Sequence, residues 1–195
     1  MPILGITASQ MTGHIFTQGA FDSIATTTIG SPGASSITFS SIPATYTHLQ
    51  IRGIVRNSAN VGGDDVQLRL NADSGTNYTW HEFYTAGTVA SVYAQTAGAG
   101  VTYTRISRNA ADASYASGVF NAVVVDILDY ANTSKYKTVR TLFGTDGNGT
   151  GAVGLSSGLW MSTSAVTSLT IYPYNLGGNN FAQYSSLALY GIKAV

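Results

Sequence analysis

The sequence predicts an all-β protein. Residues 21–195 are expected to form an antiparallel β-sandwich of jelly-roll type, and residues 1–20 an extended N-terminal arm. Three observations predict this. From Phe21 onward, Val, Ile, Thr and Tyr alternate with small polar residues in stretch after stretch. Clusters of Gly, Asn and Asp interrupt them every 8–12 residues or so, the rhythm of a two-sheet fold. No window of about 15 residues carries a helical apolar stripe, and no period of about 20–50 residues recurs.

Each element follows from its own pattern. The opening MPILGITASQMTGHIFTQGA has apolar residues without a strand or helix period, so it reads as an arm that covers a neighbour or folds back over the body. FDSIATTTI is rich in Thr and Ile. SSITFSS puts Ile37 and Phe39 on one face and Thr38 on the other. THLQIRGIVRN alternates cleanly, with Leu49, Ile51 and Val55 inward and His48, Gln50, Arg52 and Arg56 outward. Gly53 inside it marks a bulge or a close backbone approach. DVQLRLN turns Val66, Leu68 and Leu70 inward and Gln67, Arg69 and Asn71 outward. NADSGTN is a tight turn, and YTWHEFYT is expected to close a hairpin with DVQLRLN.

From Thr88 to Gly118, short β-like pieces mix with Ala and Gly, which predicts exposed loops or an excursion. GVFNAVVVDILDY is the most apolar stretch and reads as a central strand buried on both sides. DYANTSK is a loop or a single helical turn, YKTVRTLFGT a strand and DGNGTG a turn. The chain then runs strand, turn (SSGLWMSTSA), strand (VTSLTIYPY), turn (NLGGNN), strand (YSSLALYGI).

Charge narrows the function. Asp, Glu, Lys and Arg make up 9% of the chain, against roughly a quarter in an average globular protein, and the formal net charge is zero. The Lys and Arg residues are scattered, so there is no basic stripe for nucleic acid. A surface of Ser, Thr, Asn and Gln suits packing against another protein or against sugars. There is no Cys, which excludes disulfides and thiolate metal sites and is compatible with assembly in a reducing cytoplasm. No stretch approaches the ~20 apolar residues of a membrane span, so no membrane partner is expected. The N-terminus lacks a secretory signal pattern, which leaves the sequons at Asn77, Asn132 and Asn148 without a glycosylation meaning.

No catalytic, cofactor or metal-binding residue nominates itself. The single glutamate, Glu82, follows His81 on a predicted strand, so their side chains point to opposite faces. His14, His48 and His81 have no ligand spacing, and no G-x-S-x-G elbow occurs. A glycosidase would need two paired carboxylates. Asp64-Asp65 and the run Asp146 to Gly149 are the best candidates for a hard cation. Neither has calcium-loop spacing, and both read as turn chemistry. Tyr78, Trp80, Phe83 and Tyr84 cluster on one strand, and Tyr172 and Tyr174 flank Pro173. They read as core or subunit contacts, with sugar stacking as the other use of such rings.

Four segments carry a resemblance: FDSIATTTIGSPGASSITFSSIPATYTHLQIR (Phe21 to Arg52), NADSGTNYTWHEFY, VDILDYANTSKYKTVR and NFAQYSSLALYGIK (Asn180 to Lys193). With them the chain resembles a family of small virion proteins from tailed bacteriophages, over most of Phe21 to Lys193. Thr88 to Ser117 departs most from the shared pattern. The resemblance implies a non-enzymatic structural protein of the virion, assembled in the host cytoplasm, and brings no catalytic residue. The expected role is a capsid cement or decoration protein that binds the assembled shell. Its expected partners are the major capsid protein and copies of itself, as a homotrimer. Contacts are expected from Ile3, Leu4, Ile6 and Met11 of the arm and from exposed aromatics. The alternative is a tail or fibre component whose loops bind host glycan, with Trp80, Tyr84, Tyr172 and Tyr174 as stacking rings.

Overall fold

The computed structural model describes residues 21–87, 92–174 and 178–193, with the side chains of 92–99 left aside. The arm, with Ile3, Leu4, Ile6 and Met11, lies outside the described residues. Twelve strands are described: β1 (Phe21–Thr28), β2 (Ile37–Phe39), β3 (His48–Val55), β4 (Asp64–Leu70), β5 (Tyr78–Ala86), β6 (Val92–Val101), β7 (Thr104–Ala110), β8 (Asn121–Leu128), β9 (Lys137–Asp146), β10 (Gly151–Trp160), β11 (Leu169–Pro173) and β12 (Ser186–Ile192).

They form two antiparallel sheets. The larger has the order β1-β12-β3-β8-β9-β10-β5-β6 and the smaller β2-β11-β4-β7. Setting aside the pairs β5–β6 and β9–β10, four strands face four, and the chain crosses repeatedly from one sheet to the other. Those two pairs extend the larger sheet beyond β8. The all-β sandwich expected from the alternation is therefore the observed fold.

The core lies between the sheets. Leu49, Ile51 and Val55 of β3 and Val123, Val125 and Ile127 of β8 meet Ile37, Val66, Leu68, Leu70, Leu169 and Ile171 of the smaller sheet, all buried. Each such side chain stabilises the fold by about 1.5–3 kcal/mol relative to exposure. Gly53 has a steric reason: a Cβ there would lie 2.0 Å from the Ser186 carbonyl oxygen on the adjacent β12. The register through β3 is unbroken, so this is a close approach and not a bulge.

Several expectations are corrected. NADSGTN does not close a hairpin, because β4 lies in the smaller sheet and β5 in the larger, so the turn carries the chain between them. The segment expected as loops holds β6 and β7. SSGLW belongs to β10, and the turn begins after Trp160. β8 is buried on one face only, with Ala122 exposed and Val124 half-buried on the other. Arg56 and Gln67 are buried and not at the surface, and Gln50 lies on the outer face as expected but is covered there by its hydrogen-bond partners Arg52 and Asp126. Arg56 gains its place through its guanidinium, which donates to the carbonyls of Tyr115, Ala116 and Val119 and pins that loop.

Candidate contact surface

Alternation along β5 brings Tyr78, Trp80, Glu82 and Tyr84 to the inner face and His81 and Phe83 to the outer one. A lone carboxylate inside a core needs partners. β7, which packs beneath β5, β9 and β10, supplies them. Arg105 Nη1 donates to Glu82 Oε1 at 2.8 Å and Arg105 Nη2 pairs with Asp65 Oδ2 at 3.0 Å. Arg108 Nη1 reaches Glu82 at 3.4 Å. The two guanidiniums also lie over aromatic rings, Arg105 on Trp80 at 4.1 Å and Arg108 on Tyr84 at 4.7 Å. Burial raises the Glu82 carboxyl, while Arg105 and Arg108 favour its charged form. The cluster is an internal fastening between sheets.

This corrects the aromatic expectation. Trp80, Tyr84 and Tyr172 are buried, with Tyr172 under the Arg69 guanidinium at 5.0 Å, so none presents a ring face to a partner. Tyr174 is exposed, as are Tyr136 and Tyr184. Asp146 accepts the Asn148 and Gly149 amides in its turn. Asp64 accepts from Asn57, Asn179 and the Asp65 amide, and burial first of all pushes its carboxyl up to about 6. No group of three His, Asp or Glu side chains converges among the described residues.

The surface that stands out was not nominated by sequence. On the outer face of the larger sheet, the register aligns Val124, Leu142, Leu155 and Phe83 side by side across β8, β9, β10 and β5. Two residues further along lies the row Ile54, Ala122, Gly144, Val153 and Thr85. On the other side runs a polar row, Asp126, Arg140, Ser157 and His81. Phe83, Leu142, Val153 and Leu155 are each about half exposed (48–52%). Phe83, Val124, Leu142 and Leu155 wall an open depression of about 890 Å³, closed at one end by the polar row. A contiguous apolar patch of this kind marks a contact site far more often than isolated surface leucines do.

The strands explain why β10 turns its large residues outward. Between Ala152 and Trp160, its inner positions are Gly154, Ser156 and Gly158, where space runs out. A Cβ on Gly158 would meet Thr104 Oγ1 at 1.9 Å, and one on Gly154 would meet the Phe143 ring at 2.6 Å. Ser156 instead donates its hydroxyl to the Arg105 carbonyl at 2.9 Å. β7 runs so close beneath the middle of β10 that its inner face there must be small. The bulk of Val153 and Leu155 faces out.

No family model, curated protein or solved structure matches this chain.

Proposed function

We propose that this protein is a non-enzymatic structural component of a tailed-phage virion, and specifically a capsid cement or decoration protein. It would bind the assembled shell, as a homotrimer, and stabilise contacts between capsid subunits. What carries the reading is the apolar band on the outer face of the eight-stranded sheet, set in a chain with few charges. Such a face docks against protein at little desolvation cost. A partner that binds the assembled shell and not the free subunit stabilises the shell by its binding energy at every occupied site. The winding supports the same reading. Without β5–β6 and β9–β10 the strand order is β1-β12-β3-β8 opposite β2-β11-β4-β7, the order of a jelly roll, an architecture used in viral capsid proteins.

The tail or fibre alternative drew on aromatic and Asn/Asp-rich loops, with four rings as its stacking candidates. Three of them are buried, which leaves Tyr174 alone on the surface and weakens that reading. The test is sedimentation of the purified protein with shells of the phage whose genome carries this sequence. Co-sedimentation that saturates at a fixed ratio of protein to capsid subunits supports the proposal. A protein that stays in the supernatant at every concentration refutes it.

A further inference from the structure

Two arginines stand on the outer face of the larger sheet among the described residues, and they are held differently. Arg52 lies over the Phe21 ring at 5.2 Å, and its Nε donates to Gln50 Oε1. Gln50 Nε2 donates in turn to Asp126 Oδ1 at 2.6 Å. Asp126 sits directly across from Arg140 between β8 and β9, and opposite charges so placed attract. The Arg52–Gln50 ladder instead holds this carboxylate toward β3. The exposed Arg140 guanidinium is left with no ion pair and no hydrogen bond among the described residues. The Ser157 hydroxyl and the His81 ring, next along the same row, are exposed and equally without a partner there.

In the free protein, water satisfies these three groups. A partner seated on the apolar band displaces that water, because Arg140 and Leu142 are alternate residues of β9, about 7 Å apart along one face. Covering a guanidinium without a counter-charge is costly, so a purely apolar partner is a poor fit. We propose that the segment of the capsid shell that docks here carries an Asp or Glu whose carboxylate pairs with Arg140, beside apolar side chains that fill the depression between Phe83, Leu142 and Leu155. The proposal rests on the shell-docking reading and names the chemistry of its partner. A guanidinium offers a carboxylate two parallel hydrogen bonds, and Ser157 and His81 stand beside it to complete the acid's coordination. Arg52 and Arg140 against Asp126 leave this face with one net positive charge, which favours an acidic partner over a basic one. The spacing adds a constraint. The partner's acid and its nearest apolar side chain should stand about 7 Å apart, as alternate residues of an extended chain do.

The test compares co-sedimentation with shells for the full-length chain, Arg140→Gln and Arg140→Glu. Arg140 is exposed and unpartnered, so both variants should fold, with urea midpoints matching the unchanged chain. The dissociation constant should rise about tenfold for Arg140→Gln and about a hundredfold or more for Arg140→Glu. Arg140→Gln binding as tightly as the unchanged chain overturns the proposal and leaves shell docking standing. No binding by the unchanged chain overturns both. Arg140→Lys keeps the charge and makes the contact chemically trappable. Shells decorated with that variant are treated with a carbodiimide, which joins an amine to a paired carboxylate as an amide and takes up the water released. Mass spectrometry should find position 140 linked to an Asp or Glu of a shell protein. A link only to another copy of this chain would assign the face to self-association and overturn the proposal, as would a bound variant that forms no link from that position.

Discussion

Asp64 ties the stability of the fold to pH. It is buried, three donors point at it, and burial holds its carboxyl near 6 against 3.8 for an ordinary aspartate. A carboxyl whose folded pKa is raised binds its proton more tightly in the folded state. The stability this confers is present at low pH and is lost as pH rises through about 6. Asp73, Asp112 and Asp129 oppose this only at lower pH. Asp73 is held below the usual carboxylate range by the Trp160 indole, and Asp129 by Lys135. Burial pushes Asp112 up, but Ser114 and the Val61 and Gly63 amides more than offset it. Asp64's contribution therefore grows as pH falls from about 6, and the protein should be most stable at about pH 4. Lowering the pH from 7.5 to 5 should raise the free energy of unfolding by about 1 kcal/mol, read from urea midpoints. Asp64→Asn should flatten that gain, and a wild-type protein no more stable at pH 5 than at 7.5 would refute the assignment. Residues of this sort were hard to read in the sequence. Glu82, Arg105 and Lys137 have the appearance of surface residues, yet all three are buried, because ion pairs and backbone carbonyls inside the fold satisfy them.

At the scale of the strand, alternation was legible wherever one face was uniformly apolar. β2, β3 and β4 turn Ile37, Phe39, Leu49, Ile51, Val66 and Leu68 inward as their spacing predicts. It failed where the inner face is polar or small. β7 buries Arg105 and Ser107, so its period of two is invisible to a hydrophobic reading, and it was expected as loop. The middle of β10 buries glycine and serine and exposes Val153 and Leu155, which hid the strand's run through SSGLW and the apolar band it helps to build. Gly53 gives the sharpest test of packing between strands. Gly53→Ala should cost upward of about 2 kcal/mol in unfolding free energy, because β12 backbone occupies the space and cannot retreat without breaking the ladder. A loss within about 0.5 kcal/mol would mean that β3 and β12 are less tightly apposed. The outer face predicts the opposite behaviour. Leu142→Glu with Leu155→Glu should leave the unfolding midpoint nearly unchanged, since both side chains are half exposed, yet should abolish co-sedimentation with shells. Retained binding by that variant would move the contact surface elsewhere.

For the molecule as a whole, the sequence foretold two packed antiparallel sheets because turn clusters and alternating strands recur along most of its length. It could not foretell that β5–β6 and β9–β10 would join the same sheet. Strand order depends on which edges meet, and local pattern does not encode that. The consequence is an asymmetric sandwich, eight strands against four, whose broad sheet has an outer face larger than the smaller sheet opposite it requires. That surplus face, apolar at its centre and crossed by few charges, is the surface through which we propose the protein docks on a capsid shell. Electron cryo-microscopy of the particle that carries it tests the assignment most directly. The account predicts twelve-stranded density repeated over the capsid lattice, with the β8–β9–β10–β5 face turned toward the shell. Density confined to the tail, or a lattice position with that face turned to solvent, would contradict it.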